Sequence, residues 1–173
     1  MKKLVLIGLV SAVLAGCAGT PFAPIEHTMK NKFDVKQAQA QLKEGSAKLE
    51  GSAFLRQNGG GVVTCAGQEV LLFPYTDYAN EKLSLIYGGT DRGISAWYTT
   101  QYKFSNEDPN YPNYKKTSFC DAQGKFVFDK LSAGTYFAIT NVSWTVGYER
   151  QGGFLMQKVT LNKGEVKTIV MSR

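Results

Sequence analysis

The stretch "CDAQGKFVFDKLSAGTYFAITNVSW", residues 120–144, constrains the fold more than any other part of the chain. Asp121-Ala122-Gln123-Gly124 is turn chemistry, with an Asx side chain at its start and a glycine able to take positive φ at its end. Lys125-Phe126-Val127-Phe128 follows as a strand whose two phenylalanines share a face, because side chains alternate along an extended backbone. Leu131-Ser132-Ala133-Gly134 makes the next corner. Thr135 to Thr145 then predicts a longer strand with Tyr136, Ala138, Thr140 and Val142 on one side.

The same punctuation extends in both directions. "KLEGSAFLRQ" predicts a strand from Lys48, "NGGG" at 58–61 a flexible turn, and "QEVLLFPYT" a strand in which Val70, Leu72 and Pro74 alternate with Leu71, Phe73 and Tyr75. Apolar character on both faces marks that strand as central and buried, and Pro74 marks its exit from regular pairing. "FLMQKVTL" and "EVKTIVMS" predict a closing hairpin turned at Gly164 and anchored by Val166, Ile169 and Met171. About seven strands result, the content of one mainly β sandwich. Ahead of them, "DVKQAQAQLKE", Asp34 to Glu44, predicts one short helix that Asp34 caps and Gly45 stops. Residues 18–32, with Pro21 and Pro24, read as a tether.

The leader carries an expected address. Lys2 and Lys3 precede an apolar run from Leu4 to Ala15 that is too short to cross a hydrocarbon core. It ends in Leu14-Ala15-Gly16-Cys17, which resembles the lipobox of bacterial lipoproteins. That resemblance implies removal of residues 1–16 as a signal peptide and acylation of Cys17, whose thiol is the soft nucleophile that thioether formation needs. With about 0.8 kcal/mol gained per buried methylene, several acyl chains hold a protein to a bilayer almost permanently. Ala18, in place of the aspartate that commonly retains such proteins at the inner membrane, implies the outer membrane, with the periplasmic or surface-facing side undecided. Residues 17–47 then form a lipid-anchored tether with the short helix, and 48–173 the folded domain.

Losing residues 1–16 removes two lysines and no acid, which lowers the formal charge from +6 to +4. The remaining lysines are scattered apart from the pair Lys115-Lys116, so no basic stripe of the kind that binds nucleic acid is present. With Cys17 committed to lipid, Cys65 and Cys120 are an even pair in an oxidising compartment, and a disulfide is expected. Closing a loop of that span restricts the unfolded chain by about 4 kcal/mol.

The order of the strands, with Asp121, Gly124, Phe126, Phe128, Leu131, Gly134 and Tyr136 at the key positions, resembles the carboxypeptidase regulatory-like domain. That family has a transthyretin-like, seven-stranded Greek-key sandwich. The resemblance covers residues 48–173 with 79–118 as a long insertion, and implies an accessory, adhesive or assembly module without chemistry of its own.

Candidate chemistry is sparse. The single histidine, His27, falls in the tether and is expected to be solvated, so neither a zinc site nor a Ser-His-Asp triad has its imidazole, and there is no G-x-S-x-G elbow. No metal or cofactor is expected. Gly88 to Ser95 lacks the lysine of a phosphate loop and reads as turns. Asp77, Glu81, Glu107 and Asp108 read as solvated surface, and Asp121 as a turn residue in preference to a calcium ligand. The informative surplus is the insertion, whose Trp97, Tyr98, Tyr102, Tyr111 and Tyr114 offer rigid contact surface at low entropic cost and are the candidate partner-binding residues. Equally, "AWYTTQYKF" alternates well enough to be an additional strand, with its aromatics filling a core. The expected function is non-enzymatic binding of an envelope protein or glycan. The rival is a structural or assembly accessory that pairs through a strand edge.

Overall fold

A computed structural model describes residues 23–96, 99 and 101–173. Two sheets enclose the main core. In the smaller, β2 (Glu44–Arg56) is the spine, pairing in parallel with β11 (Val166–Met171) and antiparallel with β3 (Val62–Thr64) and β8 (Lys125–Leu131). The larger has the order β5 (Arg92–Ala96), β10 (Glu149–Leu161), β9 (Gly134–Val146), β4 (Glu69–Pro74) and β7 (Lys116–Phe119). Alternate residues turn inward, among them Leu49 and Leu55 of β2, Phe126 and Phe128 of β8, Tyr136 and Val142 of β9 and Leu155 and Val159 of β10. The architecture is a mainly β sandwich.

The turn residues do what their chemistry dictates. Asp121 Oδ1 accepts hydrogen bonds from the backbone N–H of Gln123 at 2.9 Å and of Lys125 at 2.8 Å, and Gly124 closes the turn at φ +77°. A Cβ at Gly124 would also lie 2.6 Å from Thr64 Cβ, so space and backbone both require glycine. After the corner at Leu131, Tyr136 Oη donates to the carbonyls of Ser132 at 2.8 Å and Gln41 at 3.0 Å, tying the start of β9 to the chain ahead of β2. Cys65 and Cys120 form the disulfide, with Cα atoms 5.8 Å apart. They flank the antiparallel pair β4 and β7, so the bridge pins both ends of the intervening segment.

That segment is not a loop. Thr76 caps α2 (Asp77–Tyr87) through a 3.0 Å bond from Ala79 N–H, and Ala79, Leu83 and Tyr87, spaced by four, form its buried stripe. The stripe packs with Phe73, Phe137, Ile139 and Met156 on the outer face of the larger sheet, producing a second apolar layer. β4 and β9 are therefore covered on both faces, in agreement with the doubly apolar pattern of "EVLLF".

Several expectations need correction. The described residues hold eleven strands, not seven. The body begins well before residue 48: β1 (Ile25–Thr28) pairs in parallel with β6 (Tyr102–Ser105), and Met29 is buried in the second layer, so from Ile25 onward the chain is not a solvated tether. The short helix, α1 (Val35–Leu42), is capped by Asp34 as expected, but it ends at Lys43 and Gly45 lies inside β2. A Cβ at Gly45 would fall 2.3 Å from the Leu131 carbonyl, which explains the glycine by close packing.

The closing hairpin does not form either. β10 already pairs with β9 on one edge and β5 on the other. A corner at Asn162–Glu165, held by Glu165 Oε2 accepting from Asn162 N at 2.7 Å and Nδ2 at 3.0 Å, therefore carries β11 across to β2.

His27 and Glu81 are not solvated bystanders. Glu81 accepts from His27 Nε2 at 2.8 Å, from the backbone N–H groups of Lys30 and Asn31 at 2.9 Å, and from Asn31 Nδ2 at 2.8 Å. Burial pushes its carboxyl up, but these hydrogen bonds outweigh it and hold the group at about 2. The residues following β1 are thus fastened onto α2.

Candidate binding groove

At one end of the sandwich a groove of about 650 Å³ opens between the two sheets. Its floor is the end of the main core: Leu55 is buried, and Ile94 and Trp144 pack against the same cluster. The smaller sheet contributes Arg56 and the turn Gln57–Gly59, and the larger contributes Trp144 and Val146 from β9 with Gln151 and Gly152 from β10. Arg173 completes the wall. Its place follows from register, since Met171 lies opposite Ala53 and the parallel pair runs on toward Leu55 and Arg56.

Trp144 lies opposite Gln151 in the β9–β10 ladder, one pair from Gly152. Gly152 takes φ +84°, and a Cβ there would stand 2.2 Å from the Val142 carbonyl and 3.1 Å from the indole, so its glycine is what lets the ring lie down on the strand. Gln57 N–H donates to the Gly61 carbonyl at 2.8 Å and Gly60 N–H to the Gln57 carbonyl at 2.9 Å, which shapes the opposing turn from backbone alone. Among the described residues, the side chains of Gln57, Asn58 and Gln151 find no hydrogen-bond partner within the protein. An apolar floor, one indole and a rim of free amides and guanidinium groups is the composition of a small-molecule site.

Three candidate aromatics of the insertion, Tyr102, Tyr111 and Tyr114, lie elsewhere. Tyr111 is only 5 % exposed, enclosed by Phe73 and Tyr78 at 5.1 Å and Phe33 at 5.4 Å, so it fills the second layer and offers little surface to a partner. Burial drives its phenol well above the usual range. Tyr102 is half-buried and stacks on Phe104 at 5.9 Å; Tyr114 is half-buried with its ring 5.2 Å from Phe33. None of these three lines the groove. Trp97 and Tyr98 lie outside the described residues, as does Cys17.

Asp77, Glu107 and Asp108 have structural partners: Tyr75 Oη, Lys82 Nζ and the Asn110 backbone N–H, at 3.3, 2.8 and 2.8 Å. No group of three or more histidine, cysteine or acidic residues able to hold a metal occurs among the described residues. Sequence reasoning missed Trp144 and its rim. The available signal was a tryptophan just beyond the last core position of β9, opposite Gln151 and beside a Gly-Gly pair across the hairpin.

The sequence matches no family model and no curated protein. Among solved structures, the fold is similar to that of a Pseudomonas aeruginosa protein described as a "putative carbohydrate binding protein", with a TM-score of 0.68 at 19 % identity over 83 % of this chain and 99 % of that one. A chlorocatechol 1,2-dioxygenase from Pseudomonas putida aligns over 91 % of this chain and 70 % of its own at 12 % identity, with a TM-score of 0.30 that carries no argument. At this level of identity the first likeness establishes one thing, a shared β-sandwich fold.

Proposed function

We propose that the chain is a non-enzymatic recognition module that binds a glycan of the cell envelope in the groove around Trp144, held at the outer membrane by lipid on Cys17. One observation carries the reading: an indole and several free amides converge on a single mouth between the sheets. A sugar ring offers an apolar face that packs on an indole. Its hydroxyl edge needs donors and acceptors together, and Gln57, Asn58 and Gln151 supply both. The carbohydrate-binding description of the structural neighbour is consistent with this. The resemblance to carboxypeptidase regulatory-like domains rests on turn and core positions, and supplies the non-catalytic scaffold.

A Trp144→Ala variant is expected to lose at least about tenfold in affinity on an array of bacterial envelope glycans, with Asn58→Ala as a milder variant outside the core. Unchanged capture by folded Trp144→Ala, with loss on replacing Tyr102 or Tyr114, would move the site to the α2 side. The anchor is checked separately. Cys17→Ser is expected to shift the protein from the membrane pellet to the soluble fraction, and unchanged sedimentation would exclude the lipid.

A second reading, strand-edge pairing, draws on β11, which ends its sheet with Val166 and Val170 exposed at 63 % and 53 %.

A further inference from the structure

The charged side chains of the groove are of one sign. Two arginine residues, Arg56 and Arg173, line it, and no aspartate or glutamate does. Some cations elsewhere on the surface are matched, as where Lys82 lies 2.8 Å from Glu107 and Lys158 lies 2.7 Å from Asp91. Among the described residues, Arg56 and Arg173 have no such partner. The two arginines come from different strands of one sheet and are brought to the same wall by the parallel register of β2 and β11.

A site for neutral sugar gains from acidic side chains, which accept hydrogen bonds from hydroxyl groups without competition. Here the only charged side chains are fixed donors. A guanidinium has five N–H groups and no acceptor, and its planar fork matches the paired oxygens of an anion. Facing a neutral ligand, both arginines would give up hydration for single hydrogen bonds. Facing an anion, each makes charge-assisted ones.

We propose that the groove selects an acidic saccharide, with one sugar ring on Trp144 and an anionic substituent, carboxylate or sulfate, between Arg56 and Arg173. This rests on the groove being the glycan site. The amides of Gln57, Asn58 and Gln151 then read the remaining hydroxyl groups, and no aspartate or glutamate side chain of the wall repels the anion.

The test is calorimetric titration of the full chain with three probes: trigalacturonate, its methyl ester, and a sulfated galactotriose. The methyl ester keeps the ring and removes the charge. At least one acidic probe is expected to bind about tenfold or more tighter than the ester, and Arg56→Gln and Arg173→Gln are each expected to remove most of that preference. Its binding is also expected to weaken with added salt. Preference for the carboxylate or the sulfate identifies the substituent. Equal binding of ester and acids, abolished by Trp144→Ala, overturns the charge selection and leaves the glycan site standing. Acidic selectivity that survives both arginine substitutions overturns the assignment to these residues. Binding of no probe, or binding indifferent to Trp144, overturns both readings.

Discussion

Replacing Cys65 and Cys120 together by alanine is expected to remove about 4 kcal/mol of stability, and to lower the denaturation midpoint by roughly 12 °C. The bridge spans 55 residues, a long loop whose closure takes much conformational freedom from the unfolded chain. Both sulfurs also sit in the main core, at residues 0 % and 5 % exposed, so the substitution loses packing as well. Urea titration of the oxidised protein against the double variant measures the difference. A loss under about 1 kcal/mol would mean that the β4–β7 pairing already orders this segment in the unfolded ensemble.

Tyr111→Ala is expected to cost about 3–5 kcal/mol, the range for truncating a large buried aromatic. The ring touches Phe33, Phe73 and Tyr78, and Lys82 Nζ lies 5.5 Å from its centroid, so its removal opens the middle of the second layer. Its hydroxyl is buried without a hydrogen-bond partner among the described residues. Tyr111→Phe is therefore expected to be neutral or slightly stabilising, because it deletes a desolvated polar atom that gains nothing in return. The pair of variants separates interior from interface. A Tyr111→Ala protein with an unchanged urea midpoint and a lost partner would restore the residue to a contact role.

Most of the scaffold was legible because its signals are local. Asp121 and Gly124 specify a turn whatever surrounds them, and the alternation around Phe126 and Phe128 specifies a strand with one face inward. The doubly apolar pattern of Val70 to Phe73 even announced a strand covered on both sides. What escaped was set by distance. Val166 to Met171 reads identically whether it folds back on β10 or crosses to β2, and only the occupancy of both β10 edges decides it. Ile25 to Thr28 has no strand pattern of its own, and is ordered by Tyr102 to Ser105, some seventy-seven residues away.

The site was less legible than the fold for the same reason. Arg56, Trp144, Gln151 and Arg173 come from three strands and a chain end, and nothing in their neighbourhoods along the chain relates them. The tyrosines of the insertion drew attention because they cluster in sequence. Tyr111 clusters there to fill space between α2 and the sheet, and aromatic density alone does not separate that purpose from recognition.

β9 carries a consequence of its own. Tyr136, Ala138 and Val142 belong to one apolar layer and Phe137 and Ile139 to the other, so a single strand is the shared wall of both. Neither layer can melt without stripping one side of the other's wall. The inserted helix and its aromatics are thereby a cooperative part of the sandwich, and any ligand that bound near Trp144, at the far end of that wall, would stabilise all of it at once.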